Sequence, residues 1–217
     1  MLMSSPGIRC ENVSFSYPSC APVLRNFNVE IPSGSLATII GLNGTGKTTL
    51  LKTLAGLILP QQGNVYVGGW CTRKHWTEVR HVVGVSMYAE RSFNFRLNGY
   101  QNAEFVAALA GYSRKTAQQM IDEIVMQHDA EVIFAPRFAE LSLGQRRVFS
   151  LLMALLVSNG VILVDEPTAT LDSRNKKVVH NLLKALAQSG NTVVATTHDR
   201  ELIALCDYKI ELPETIK

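Results

Sequence analysis

No stretch of this chain is long and apolar enough to span a bilayer. The longest apolar run, LLMALLV at 151–157, is far shorter than the roughly eighteen residues of a membrane helix. The opening MLMSSPG has neither the charged start nor the apolar stretch of a secretory leader, so export is not expected. Cysteine is scarce, and Cys10, Cys20, Cys71 and Cys206 stand apart without C-x-x-C spacing or a neighbouring histidine pair. That scatter argues against a zinc site and a disulfide framework, leaving reduced, mostly packed thiols. Charge of one sign is scarce too: the formal net charge is +3, with no basic block to concentrate it. No nucleic-acid groove is expected from this. What remains is globular composition, 47% hydrophobic and 18% charged over 217 residues, enough for a full core. The expectation is a cytoplasmic chain that, if it works at a membrane, does so through a partner.

The first third reads as β structure. Val13, Phe15 and Tyr17 alternate, then Phe27, Val29 and Ile31 alternate up to the Pro32-Ser33-Gly34 turn. LATII at 36–40 is a short apolar run rich in β-branched residues, and the glycine loop after it leads into a helix with Leu50, Leu51 and Leu54 on one face. YVGGW at 66–70 reads as a hairpin turn and VVGVS at 82–86 as another strand. From about 99 to 157 the pattern is helical, with Ala117, Met120, Ile121, Ile124 and Val125 spaced as one buried stripe. Then come the strand VILVD at 161–165, a helix from Asp172 and Ser173 to Gly190, the strand TVVAT at 192–196, a last helix and a strand near 208–212. Strands alternating with helices predict a mostly parallel sheet covered on both faces.

GLNGTGKTT at 41–49 fits G-x-x-x-x-G-K-[ST] through Gly41, Gly46, Lys47 and Thr48. In that order of strand, loop and helix, backbone N–H groups and the helix N-terminus bind a phosphate chain. Lys47 is expected to reach the β- and γ-phosphates and the Thr48 hydroxyl to ligate Mg²⁺. Asp165 closes the strand in VILVDEPT and so emerges at the edge where that loop lies, placed to hold Mg²⁺. Glu166 follows, placed to polarise a water attacking the γ-phosphate. His198, in TTHD at 196–199, lands at the same edge but alone reads equally as a packed or surface residue, as Tyr17 reads equally as core.

GLNGTGKTT, LSLGQ at 141–145, VILVDEP, ATLD and TTH resemble, in order, the Walker A loop, signature, Walker B strand, D-loop and switch histidine of the ABC-type ATPases. The resemblance runs over nearly the whole chain. It implies an α/β fold, a P-loop NTPase of ABC type with a mostly parallel core sheet, an N-terminal antiparallel β subdomain and an inserted helical subdomain. The whole is one ABC ATPase domain over 1–217, its helical subdomain roughly 87–157. In that family two nucleotide-binding domains meet head to tail, each ATP lying between the phosphate loop of one and the signature turn of the other. The resemblance therefore implies Tyr17 for adenine, and Asn43, Gly44, Thr45, Gly46, Lys47, Thr48 and Thr49 for the phosphates. It implies Thr48 and Asp165 for Mg²⁺, Glu166 for water and His198 for the γ-phosphate. Ser142, Gly144 and Gln145 come across the interface, where Asp172 also lies.

Two positions depart from the family. Leu143 occupies the third signature position, usually glycine, and the loop glutamine after VVGVS is missing, the next being Gln101. Tyr88 stands at the aligned place, and Glu90 is expected to substitute as a water or metal ligand. ERSFNFRL at 90–97 resembles a subset of exporter ATPases, and Phe93 and Phe95 with Tyr88 form either a groove for a partner's helix or packing inside the helical lobe. The expected function is the ATP-binding and hydrolysing subunit of an ABC transporter, exporter over importer, with ATP and Mg²⁺ as cofactors. It would pair with a second nucleotide-binding domain, identical or not, and drive a separate integral membrane subunit. A nucleotide-gated switch with little hydrolysis is the alternative. A nucleic-acid-maintenance head is disfavoured, since no sustained heptads separate Lys47 from Leu141.

Overall fold

The computed structural model describes residues 7–18, 21–87 and 92–213. The chain begins with β1 (Ile8–Phe15), β2 (Leu24–Ile31) and β3 (Leu36–Ile40), then α1 (Lys47–Leu54), β4 (Gln62–Val67) and β5 (Trp70–Cys71). It continues with α2 (Trp76–Val82), β6 (Val83–Ser86), α3 (Gly99–Leu109), α4 (Arg114–Gln127), α5 (Glu131–Phe134) and α6 (Leu143–Val157). It closes with β7 (Val161–Asp165), α7 (Ser173–Gln188), β8 (Thr192–Thr196), α8 (Arg200–Leu205) and β9 (Tyr208–Glu211). No helix among the described residues is long and apolar enough to cross a membrane.

Two sheets form. One is antiparallel in the order β2-β1-β4-β5, the other parallel in the order β6-β7-β8-β3-β9. The expected hairpin joins β4 to β5, its Gly68 and Gly69 both at positive φ, as a tight twisted turn requires. Residues of β3, β7 and β8 are buried along almost their whole length, which is why they read as continuous apolar runs rather than alternating ones.

Helix α1 contributes Leu50, Leu51 and Leu54, all fully buried, to a core shared with Ile8, Val13 and Ile31 of the antiparallel sheet and Ile39 and Leu163 of the parallel one. Each such leucine contributes about 1.5–3 kcal/mol. A second core lies on the other face of the parallel sheet, where Val179, Leu183 and Leu186 of α7 and Leu202 of α8 meet Ile162 and Val193. A third fills the helical layer of α3–α6, with Phe134, Phe138 and Phe149 at its centre. The predicted stripe on α4 holds: Ala117, Ile121 and Ile124 are buried, with Met120 and Val125 packed at the margin.

Helix α6 faces two ways. Phe149, Leu152 and Leu156 enter the helical core, while Leu151 and Ala154 enter the core on the sheet. Gly84 of β6 lies so close that a Cβ there would meet the Ala154 carbonyl oxygen at 1.8 Å, and the Ser86 and Ser150 hydroxyls bond at 2.7 Å. The helix that begins at the signature turn is thus packed directly on the strand leading to residues 88–91. Phe93 packs on Phe138 and Phe149 with centroids 5.2 and 4.9 Å away, so of its two readings the structure gives the packed one. Phe95 is 40% exposed beneath the Arg146 guanidinium, 4.9 Å from its ring centroid. Gln101 sits in α3 as half of a capping box with Asn98, as its helical reading expects.

Candidate active site

Strand register builds the site. Thr196 of β8 pairs with Asp165 of β7 on one side and Ile39 of β3 on the other, so the loops leaving β3, β7 and β8 emerge side by side. This is the carboxyl edge of a parallel sheet, where such folds bind their ligands.

The phosphate loop leaves β3 at Gly41. Gly46, the N-cap of α1, has φ +99°, and a side chain there would strike Val23 Cγ1 at 2.4 Å, so glycine is required twice over. At Gly44, φ +85°, an added Cβ would meet nothing within 4 Å, which leaves the mouth of the loop open to a phosphate chain. Lys47 is buried, donating to the carbonyl oxygens of Gly41 at 2.9 Å and Leu42 at 3.1 Å. Thr45 donates to Leu42 O at 2.9 Å, and Thr49 Oγ1 lies 3.2 Å from the Tyr17 hydroxyl. Tyr17 stands just past the end of β1, 39% exposed, edge-on to Phe15, so its ring lies on the surface beside the loop rather than in the core.

Across the site, Thr48 Oγ1 lies 3.2 and 3.3 Å from the two carboxylate oxygens of Asp165. Thr196 donates its hydroxyl to Asp165 Oδ1 at 2.6 Å and accepts the Glu166 N–H at 2.9 Å. Glu166 has φ +45°, a left-handed conformation of the kind that costs ~1–3 kcal/mol and is held by surrounding bonds. That turn brings Glu166 Oε1 to 3.4 Å from His198 Nε2. The same nitrogen is 3.0 Å from Lys47 Nζ and 3.1 Å from Asn43 Oδ1. A lysine can only donate and a carboxylate can only accept, so this one ring nitrogen serves one kind of partner at a time. The hydroxyl of Thr48 and carboxylate of Asp165 are hard oxygen donors, the chemistry Mg²⁺ takes together with substrate phosphates and water. Among the described residues no group of three or more His, Cys, Asp or Glu could hold a metal by itself.

The signature turn is ordered by its own bonds. Ser142 caps α6, accepting the Gln145 N–H at 3.2 Å while Gln145 Oε1 accepts the Ser142 N–H at 2.9 Å. Leu143 points outward, 46% exposed. Gly144 is buried against α7, and a Cβ on it would lie 2.5 Å from Asn175 Oδ1. Asn175 in turn donates both its N–H and its side-chain amide to Asp172, each at 2.8 Å. Those bonds hold the exposed Asp172 carboxyl below the usual range. Sequence reasoning places Gly144 and Asp172 but misses Asn175, which joins them, and Thr196, which clamps Asp165 to Glu166. Asn175 belongs to no motif and Thr196 only opens TTH ahead of its histidine; the roles of both come from packing between elements distant in sequence. Tyr88 and Glu90 lie outside the described residues.

A family model for the ABC transporter matches residues 24–169. The chain belongs to the ABC transporter family. It is 32% identical over 197 residues to the energy-coupling factor transporter ATP-binding protein EcfA1 of Halalkalibacterium halodurans, covering 89% of this chain and 70% of that one. It is 30% identical over 214 residues to the cobalt import ATP-binding protein CbiO of Rhodobacter capsulatus, covering 97% and 76%. Among solved structures it resembles the ATP-binding cassette MJ0796 in a dimeric post-hydrolysis state bound to ADP and Pi, at a TM-score of 0.79, 27% identity and 94% of both chains. The expected fold holds, and the chain is an ABC-type ATPase. The export direction finds no support: of these relatives, the one whose name states a direction is an import protein.

Proposed function

We propose that this ABC ATPase binds ATP between two copies of the domain and hydrolyses it to drive a separate integral membrane subunit, which sets cargo and direction. The observation that carries this is the convergence on His198 Nε2 of Lys47 at 3.0 Å and Asn43 at 3.1 Å from the phosphate loop and of Glu166 at 3.4 Å from the turn after β7. In this reading Tyr17 carries the adenine face. Backbone N–H groups from Asn43 to Thr49, at the mouth left open by Gly44, hold the phosphates.

When ATP enters, Lys47 exchanges the carbonyl oxygens of Gly41 and Leu42 for phosphoryl oxygens. His198, released from Lys47, turns its nitrogen to the γ-phosphate. Glu166 orients the attacking water and accepts its proton, a role worth about 10²–10⁴ in rate. Thr48 and Asp165 would hold magnesium, which when bound neutralises phosphate charge. Ser142, Gly144 and Gln145 act on the nucleotide of the other copy, through the hydroxyl and the positive end of α6. Glu90 stands in for the missing glutamine. A peripheral place at the inner face of the membrane follows from coupling to the membrane subunit.

Glu166→Gln is the test. It should lower ATP turnover by about 10²-fold or more while a fluorescent ATP analogue binds as before. Turnover close to the parent would favour a nucleotide gate that scarcely hydrolyses.

A further inference from the structure

Directly behind His198 lies a buried polar node with no role in the reading above. The Asp199 carboxylate, 7% exposed, faces His180 Nε2 at 3.2 Å and Lys176 Nζ at 3.4 Å through one oxygen. Its other oxygen accepts the Glu201 N–H at 3.0 Å, and the Thr168 hydroxyl donates to the carboxylate as well. His180, 3% exposed, lies on the inner side of α7, with its second ring nitrogen 3.8 Å from Glu201 Oε2. Burial pushes the Asp199 carboxyl up, yet Thr168, the Glu201 N–H, His180 and Lys176 together hold it below the usual range. A buried carboxylate needs such partners, and a group so fully engaged fixes whatever it is attached to.

Three elements are attached to it. Thr168 lies on the turn after β7, two residues past Glu166. Asp199 follows His198 on the turn after β8. His180 and Lys176 belong to α7, whose cap is Asp172. We propose that His180 is a positioning residue for ATP hydrolysis: through Asp199 it locks the two turns together, setting the separation of Glu166 from His198. This rests on the reading of Glu166 and His198 as the hydrolytic pair. Reacting groups misplaced by about 1 Å lose on the order of 10²-fold in rate, so the node acts on turnover more than on nucleotide binding.

The test uses the full chain, steady-state ATP hydrolysis and binding of a fluorescent ATP analogue. His180→Leu keeps bulk but removes the ring nitrogen, and should lower kcat about tenfold or more with KM changed less than about threefold. His180→Gln, whose amide can donate to Asp199, should recover most of the loss. Thr168→Val strikes the node from the other turn and should show the same split, which also serves if His180→Leu does not fold. Parent-like kcat in folded His180→Leu or Thr168→Val would overturn the proposal, as would equal loss in His180→Leu and His180→Gln with KM rising in step. Full hydrolysis by Glu166→Gln would instead overturn the underlying reading of the site. Hydrolysis lost in Glu166→Gln but untouched in His180→Leu would overturn the positioning role alone.

Discussion

Gly144→Ala separates two reasons for a glycine in the signature turn, packing within the chain and approach to a nucleotide. The added methyl would lie 2.5 Å from Asn175 Oδ1 and 2.6 Å from Asn175 Cγ, about an ångström inside ordinary contact. Either α6 shifts or the Asn175 side chain leaves Asp172, where its amide now donates at 2.8 Å. Overpacking of this kind costs ~1–3 kcal/mol. Replacing glycine by alanine in a helix returns roughly 0.5–1 kcal/mol, for a net loss of up to about 2.5 kcal/mol. In an Asn175→Ala background Oδ1 and Cγ are gone and only the Cβ of residue 175 remains, 3.1 Å from the added methyl, so the same substitution should cost much less. Urea unfolding of the four nucleotide-free proteins measures this as a coupling of about 1–3 kcal/mol. Effects that add to within about 0.5 kcal/mol would refute the packing argument. ATP turnover then reads the second role: activity restored in the double variant points to packing alone, activity still lost to contact with nucleotide.

Ser142→Ala should lower stability by ~1 kcal/mol through loss of the cap on α6, a fall in Tm of roughly 2–4 °C visible without nucleotide. Ser142→Thr, which can still cap, should lose much less, and scanning calorimetry compares them. Burial pushes the Cys10 thiol from 9.0 up to about 12. The folded chain therefore keeps that proton while the unfolded chain releases it near 9.0, so Cys10 withdraws stability as pH rises from about 9 towards 12. At pH 8 iodoacetamide should modify the half-buried Cys206 well before Cys10, as peptide mass spectrometry would show, and comparable rates would contradict the burial.

Much of the site was legible because its residues sit where local patterns change. Apolar runs mark β3, β7 and β8, and the turns at their carboxyl ends, bearing the phosphate loop, Asp165-Glu166 and His198, share one edge in any parallel sheet. What spacing does not carry is register. Asp165 opposite Thr196, with Ile39 beyond, depends on the order β6-β7-β8-β3-β9, fixed by crossovers between distant segments. His180 and Asn175 are hidden for the same reason, each an ordinary polar residue on an amphipathic helix until its neighbour is known. Helix α2 escapes notice because it is short and its cap residue, His75, makes no side-chain bond. The Ser142-x-x-Gln145 spacing is itself the sequence mark of a capping box, and the turn is shaped by the chain that carries it as well as by the nucleotide proposed to meet it.

The central claim is that a signature turn completes the phosphate site of another copy. It is tested most directly by the mass of the Glu166→Gln protein in solution, measured by sedimentation with magnesium and ATP. The account predicts a dimer that forms with ATP, is absent with ADP, and is lost again when Ser142 is replaced by arginine in the same chain. A protein that stays monomeric with ATP at the highest attainable concentration, or a dimer indifferent to Ser142→Arg, would contradict it.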